Sequence, residues 1–367
     1  MISKRAKGFD SKEVRNVFAK AAEIKNSINL SLGEPDFDIP NQIKEEAITH
    51  IKSGFNKYTH ASGVKDFRLE LAKKIRAKNK IRVSPESIGV TPGVSGALLV
   101  TALILFESGD EVLLLDPYFP TFPELVKLSE ATPVFISTYP DFSLPLDKIK
   151  RSISKRTKAV IINSPNNPTG AVYSEKDLRV LAEIAKDKGL IIISDEIYED
   201  YIYVGKHFSI GSVYENTVSL WGFSKTYAMT GWRLGYLTGP EIFMDRVHEL
   251  LQYLYFSPPS IPQIAAIKAL RLGPPKEEIS KFKEKRAYIL ENLSDKFRIQ
   301  SADGAFYIFI KPPRGAVDKF LGDAIKKKLF MLPGKVFSRT NTHVRISYSV
   351  DLDTVKKAVK ILNELIS

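Results

Sequence analysis

The side chain with the most chemistry open to it in this sequence is Lys225. It stands in Trp221-Gly-Phe-Ser-Lys-Thr-Tyr-Ala-Met-Thr-Gly-Trp-Arg-Leu-Gly-Tyr236, a stretch of small, hydroxylated and aromatic residues with Arg233 eight positions further on. An apolar run, Thr217-Val-Ser-Leu220, leads into it and reads as a buried strand. A lysine at such a strand end, partly desolvated and close to other cations, loses its proton more readily and can attack a carbonyl carbon as an amine. With 54 Lys and Arg in the chain, position alone would leave Lys225 a solvated lysine. Three other segments change that. Thr91-Pro-Gly-Val-Ser-Gly96 lies between a short strand and a helix, where free backbone N–H groups and the helix dipole suit a phosphate. Asn163-Ser-Pro-Asn-Asn-Pro-Thr-Gly170 follows the apolar run 159–162 and offers Asn167 as a hydrogen-bonding side chain, with Ser174 placed to cap the next helix. Asp195-Glu-Ile-Tyr198 follows an apolar strand, and a carboxylate there is either solvated or, if buried, met by a cation such as a protonated heterocycle nitrogen.

The elements that must carry these residues repeat as strand, turn and helix from about residue 86. Strands are expected at 88–91, 112–115, 132–136, 159–162, 190–194 and 217–221, and helices at 95–106, 119–130, 146–154 and 174–188. Near-continuous Ile, Val and Leu runs between amphipathic helices predict a largely parallel sheet covered on both faces. Ahead of it, residues 11–27, 41–53 and 64–79 have helical spacing and 28–32 reads as a strand. A long helical stretch, about 241–296, is broken at Pro258-Pro259 and at Gly273-Pro274-Pro275; residues 304–367 alternate short strands and helices as a smaller α+β unit.

Composition narrows the chemistry. No cysteine occurs, which excludes disulfides, thiolate nucleophiles and Cys-ligated zinc, and the five histidines show no ligand spacing, so no metal is expected. The net charge of +12 favours anionic partners, but the basic residues are scattered, so nucleic acid is not expected. The first residues lack an apolar signal core, and the longest apolar run, 97–106, falls well short of the ~20 residues that span a bilayer. A cytoplasmic protein without a membrane partner is the expectation.

Taken together, Gly33-Glu-Pro-Asp-Phe37, the Tyr58 segment, Asn166-Asn-Pro-Thr-Gly170, Ser194-Asp-Glu-Ile-Tyr198, Gly222-Phe-Ser-Lys225, Met229-Thr-Gly-Trp-Arg233 and Val344-Arg-Ile-Ser-Tyr348 resemble, in order and spacing, the pyridoxal-phosphate-dependent aminotransferases of the aspartate aminotransferase family (fold type I, class I/II). The likeness is greatest to the archaeal and bacterial branch of aromatic and aspartate aminotransferases. It implies an α/β fold with a mostly parallel seven-stranded sheet flanked by helices, a large cofactor-binding unit over 42–280, and a small substrate-closing unit made of 1–41 and 281–367. The implied cofactor is pyridoxal 5'-phosphate.

By that resemblance Lys225 would be the Schiff-base and proton-transfer residue, and Asp195 would keep the pyridine nitrogen protonated. Asn167 and Tyr198 would hydrogen-bond the ring hydroxyl oxygen, and Phe119, or its neighbour Tyr118, would stack on the ring. The backbone of Gly93, Val94 and Ser95, the Ser224 hydroxyl and Arg233 would hold the phosphate. Tyr58 would reach the phosphate of a second subunit, implying a homodimer with shared sites. Arg345 would bind the substrate α-carboxylate as a planar fork, helped by the Gly33 backbone and Asn167. Two departures bear on substrate. Gly222 stands where some members carry a phosphate-binding serine, and Ser95 stands where aspartate-specific members carry a lysine that reads the distal carboxylate. The expected reaction is ping-pong transfer of an amino group between an L-amino acid, aromatic, aspartate or broad in range, and a 2-oxo acid such as 2-oxoglutarate. Specificity is expected from residues around Phe18, Ser95 and the C-terminal loops. A carbon–sulfur β-lyase on the same scaffold shares the lysine, aspartate and arginine and stays open; it would form pyruvate and ammonia without an oxo acid. A non-enzymatic cofactor-binding regulator would need a fused DNA-binding domain, for which the early start of the strands leaves no room.

Overall fold

The computed structural model describes Ile2, residues 12–313 and residues 316–366; the side chains of residues 12–14 and of Phe18, and with them the role expected of Phe18, lie outside the described residues. Strands are numbered in chain order. After β1 (Ile28–Asn29) come β2 (Gly89–Thr91), β3 (Glu111–Asp116), β4 (Thr132–Ser137), β5 (Thr157–Asn163), β6 (Ile191–Asp195), β7 (Thr217–Gly222) and β8 (Gly235–Thr238). β9 (Tyr307–Ile310), β10 (Leu329–Phe330), β11 (Leu332–Pro333) and β12 (Val344–Ser347) follow.

The apolar runs alternate, residue by residue, between two cores. Leu113, Leu115, Val160, Ile162 and Ile192 pack with Ile149, Leu178 and Leu181 of helices Leu146–Ser152 and Glu175–Lys188. Val112, Leu114, Ala159, Ile161 and Ile193 face the other way, onto Leu98, Val126 and Val247 of helices Gly93–Leu105, Thr121–Leu128 and Glu241–Leu254. The period of two sends successive side chains to opposite faces, and both faces are covered because parallel strands need helical crossovers. Each Val, Leu or Ile among them, fully buried, contributes roughly 1.5–3 kcal/mol. Local signals agree: Ser174 accepts a hydrogen bond from the Asp177 N–H at 3.1 Å, as its place before the helix predicts, and Gly189 ends that helix at a φ of +65°.

The main sheet runs in the order β2-β8-β7-β6-β5-β3-β4. β7, β6, β5, β3 and β4 pair in parallel, and β8 lies antiparallel between β7 and β2. The sequence pattern marks six of these seven strands. The seventh, β8, is only Gly-Tyr-Leu-Thr, directly after the Lys225 stretch, and pairs back onto β7. Two smaller sheets complete the chain: β1 with β10, and β11-β12-β9. The expected strand 28–32 is confined to β1, two residues, while Leu30 N–H extends the contact to Phe330 O at 2.8 Å. Helices Lys276–Asn292, Val317–Lys326 and Leu352–Glu364 pack on these sheets through Phe282, Ile289, Phe320 and Val359. Helix Lys65–Lys74 continues into a wider turn, Ile75–Asn79, so the helix expected over 64–79 changes its hydrogen-bond step in its last five residues.

Candidate active site

The carboxyl ends of β2, β5, β6 and β7 open together onto a cavity of about 280 Å³, the place where an open α/β sheet presents its loops to a ligand. Asp195, the last residue of β6, points into it. Its carboxylate accepts a hydrogen bond from the Ile197 N–H at 3.1 Å, and burial, reinforced by neighbouring Glu196, pushes its pKa up to about 7. Tyr198, three residues on, is buried in the same wall.

Lys225 comes not at the strand end but three residues beyond Gly222, in the loop that reverses β7 into β8. Its Nζ donates to Gly33 O at 2.6 Å. The amine keeps access to the cavity yet is enclosed by protein, and that burial lowers its pKa to about 8; Glu34 and Asp195 act upward, Arg345 and Arg233 downward. Arg233 closes the same loop with a φ of +52°, unusual for a side-chain-bearing residue, and so returns its guanidinium to the start of helix Gly93–Leu105. Gly93 is itself at φ +73°, and a Cβ there would lie 2.6 Å from Arg233 Nη2. Val94 and Ser95 at the helix N-terminus, and Ser224, line the cavity beside Arg233. Gly93 stands just behind them.

On the opposite side Arg345 projects from β12. It is buried, donates from Nη1 to Asn167 Oδ1 at 3.1 Å and from Nη2 to Ser31 O, and leaves Nε without a partner among the described residues. Phe119 borders the cavity, whereas Tyr118 packs on Phe135 at 5.1 Å between ring centroids. Of the residues expected in the site, Tyr58 is the one the fold leaves apart: it is 79% exposed and meets Phe256 at 4.7 Å, outside the cavity.

Three residues of the site were not singled out from sequence. Asn163 donates to Asp195 O at 3.0 Å and accepts the Asn167 N–H at 2.8 Å, so it fixes two loops at once; its place at the end of β5 was a signal. Tyr307 and Phe337 flank Arg345, and nothing in their sequence neighbourhood separates them from core aromatics. Gly222, where a serine was the alternative, is closely packed: a Cβ would lie 2.8 Å from Ile197 Cδ1 and 3.0 Å from Val94 Cγ2, so a serine would require those side chains to shift.

Behind Asp195, Glu196 takes hydrogen bonds from Ser194, His207, Ser209 and Trp221, while Glu199 pairs with Lys74 and Lys78. Glu196, Glu199 and His207 gather ligand-type atoms within 4.8 Å of one another, but these lysines and hydrogen bonds already occupy the carboxylates.

These donors fit pyridoxal phosphate. A buried carboxylate with a raised pKa calls for a cation, an enclosed amine stands ready for a carbonyl, and a helix N-terminus, two hydroxyls and an arginine face one corner of the cavity. A second arginine, with an N–H to spare, stands at the far side.

Comparison with known proteins agrees with that chemistry. Residues 25–362 match the family model described as aminotransferase class I and II. A probable aspartate aminotransferase of Methanocaldococcus jannaschii is 36% identical over the full length of both chains. An aromatic-amino-acid aminotransferase of Thermococcus litoralis is 35% identical, covering 99% of this chain and 98% of its own. The solved structure of Thermus thermophilus aspartate aminotransferase with maleate superposes with a TM-score of 0.94 at 32% identity, covering 100% of this chain and 99% of that one. The chain belongs to the class I and II aminotransferases, enzymes that work with pyridoxal 5'-phosphate.

Proposed function

We propose that this aminotransferase moves an amino group between an aromatic or broadly chosen L-amino acid and a 2-oxo acid, with glutamate and 2-oxoglutarate as the shared pair. The observation that carries the reading is the placing of an enclosed amine, a buried carboxylate and a buried arginine, Lys225, Asp195 and Arg345, around one cavity. Pyridoxal phosphate, when bound, supplies an electron sink for the substrate α-carbon. Lys225, with a pKa near 8, would hold the cofactor through its amine and, as a free neutral amine, would carry the proton to and from the substrate α-carbon. Asp195 holds the proton on the ring nitrogen, and a cation there also relieves the burial of its own charge. Tyr198 and Asn167, which line the cavity, would hold the ring oxygen, and Phe119 would pack against the ring. The Gly93, Val94 and Ser95 backbone, the Ser224 hydroxyl and Arg233 would hold the phosphate. Arg345 takes the α-carboxylate, with Asn167 and Gly33 beside it.

The donor side rests on what else lines the cavity. Its basic side chains are Lys225, Arg233 and Arg345, each with a task already, and Ser95 brings no charge; Leu332, Val336 and Phe337 offer an apolar wall. The relatives include proteins named for aspartate and for aromatic amino acids. We assign residues 42–280 to a cofactor-binding unit and 1–41 with 281–367 to a substrate-closing unit, in keeping with a main sheet drawn from 89–238 and small sheets from 28–29 and 307–347. A homodimer accords with the exposed Tyr58 and Phe256, which a second copy would cover while Tyr58 reaches that copy's phosphate site. No helix among the described residues is long and apolar enough to cross a membrane.

The test adds single L-amino acids to the cofactor-loaded protein and follows its visible absorbance. Aromatic donors and glutamate should convert the spectrum fastest. A clear preference for aspartate would overturn the donor assignment. No conversion by any amino acid, or pyruvate and ammonia released without an oxo acid, would overturn transamination. Lys225→Ala should fold and lose turnover.

A further inference from the structure

One buried, titratable side chain in the cavity has no part in the reading above. Tyr307 opens β9 and is 1% exposed. In the β12–β9 ladder Arg345 lies opposite Phe309, so Tyr307, two residues away on the same face, is its diagonal neighbour. The Arg345 guanidinium carbon sits 4.7 Å from the Tyr307 ring centroid and 4.6 Å from that of Phe337, held between two aromatic faces. The other end of Tyr307 does something different. Its hydroxyl lies 2.8 Å from the Tyr198 hydroxyl, and a Cβ added at Gly33 would come within 2.5 Å of it, so the loop whose carbonyl accepts from the Lys225 amine runs beside it with no space for a side chain between them.

Each phenol has one proton to donate, and either oxygen can be the donor in the bond they share. Burial raises the pKa of both, so both stay protonated at working pH. If Tyr307 gives its proton to this bond, the Tyr198 proton is free for an acceptor in the cavity. The charged groups facing the pair are Arg345 from β12, Asp195 from β6, Glu34 from the Gly33 loop and Lys225 on the Gly33 carbonyl. None of them is hydrogen-bonded to either phenol oxygen in a way that would replace Tyr307.

We propose that Tyr307 is a positioning residue with two ends. Its ring holds the Arg345 fork in the orientation that receives the α-carboxylate, and its hydroxyl donates to Tyr198, turning the Tyr198 proton toward the ring oxygen of the cofactor. This rests on the roles given above to Tyr198 and Arg345. A hydrogen bond donated to an ionised oxygen favours the ionised form, so weakening it raises the pH at which that oxygen takes up a proton.

The experiment compares the cofactor-loaded wild type with Tyr307→Phe, Tyr307→Leu and Tyr198→Phe, reading the pH midpoint of the visible absorbance and, separately, KM and kcat. Tyr307→Phe, which loses one oxygen, should shift the midpoint upward by roughly half a unit or more and leave KM for glutamate within about twofold. Tyr307→Leu should show the same shift and raise KM roughly tenfold, because the face under Arg345 is gone. An unmoved midpoint in Tyr307→Phe, with Tyr198→Phe shifted upward, overturns the hydroxyl role while the site reading stands. Midpoints unmoved in both overturn the role of Tyr198 and the inference with it. A wild-type KM in Tyr307→Leu overturns the ring's role. Tyr307→Phe keeps the ring and the packing, so it remains informative if Tyr307→Leu fails to fold.

Discussion

In cofactor-free protein the Asp195 carboxylate should be a burden on stability that a single amide removes. The group is 4% exposed, and burial raises its pKa from 3.8 to about 7. The folded protein therefore prefers the neutral acid, whereas the unfolded chain ionises near the ordinary value. The stability contributed by the neutral form is complete below pH ~4 and is lost as pH rises through 7. Three units at about 1.4 kcal/mol each bound the loss at about 4 kcal/mol. Asp195→Asn is neutral throughout, and its amide oxygen can still accept from the Ile197 N–H. Urea unfolding of the two cofactor-free proteins from pH 5 to pH 8 should give curves that draw together in acid and separate with rising pH, the variant becoming the more stable by up to about 4 kcal/mol. Adding pyridoxal phosphate should reverse the order, since only the wild type gains an ion pair with the ring nitrogen. Parallel stability curves across this range, or a variant that is less stable at pH 8 without cofactor, would refute the account of Asp195 as a buried charge awaiting a cation.

Arg345→Leu should lower kcat/KM about 100-fold, chiefly through KM, because two charge-assisted hydrogen bonds to the α-carboxylate go; Arg345→Lys should recover only part, lacking the planar fork. Steady-state kinetics with glutamate checks both. Gly93→Ala should weaken pyridoxal phosphate binding at least tenfold in a fluorescence titration, since the residue sits at φ +73° and its methyl would push into Arg233. Lys74→Met should destabilise the fold by ~1–3 kcal/mol at pH 7, because buried Glu199 loses its nearer lysine and keeps only Lys78 as an ion-pair partner among the described residues. Burial alone would raise the Glu199 pKa, but Lys74, Lys78 and His207 outweigh it and hold the carboxyl down to about 2. That stability is present above the ordinary 4.5 and lost as pH falls through 2, so urea unfolding at pH 7 and in strong acid should show the variant's deficit shrinking.

What was legible in the sequence follows from what burial demands locally. Strands covered on both faces must be apolar nearly throughout, so Val112-Leu-Leu-Leu115 and Leu190-Ile-Ile-Ile-Ser194 announce themselves, and the residues just past them are where a parallel sheet displays its chemistry. β8 escaped because Gly235-Tyr-Leu-Thr238 is too short for any period, and its identity as a strand comes from pairing with β7. Lys225 was recognised, but its place in the reversing loop depends on Arg233 and Ala228 holding positive φ, which neither residue type advertises. Tyr307 and Phe337 lay outside reach for the same kind of reason. As text they are aromatics in a short strand and a loop; only the folding of β9 and β12 against the main sheet puts one on each side of Arg345.

The arrangement also explains why the cavity is assembled from distant segments. Lys225, Arg233 and Arg345 repel one another, and two of them depress the Lys225 pKa from across the site. A single short loop could not carry three such cations without driving them into solvent. Here Lys225 and Arg233 share the loop between β7 and β8 but sit at its two ends, Arg345 comes from β12, and each is held by a backbone carbonyl: Lys225 on Gly33, Arg233 on Thr230 and Arg345 on Ser31. Asp195 alone answers them from the main sheet, with Glu34 at the rim. The balance left over is positive, and it matches a ligand set of phosphate and carboxylate groups. Net charge reduction on binding should therefore favour the loaded, closed arrangement, and it is Tyr307, touching Arg345, Tyr198 and the Gly33 loop at once, that stands where the cofactor side and the substrate side of that balance meet.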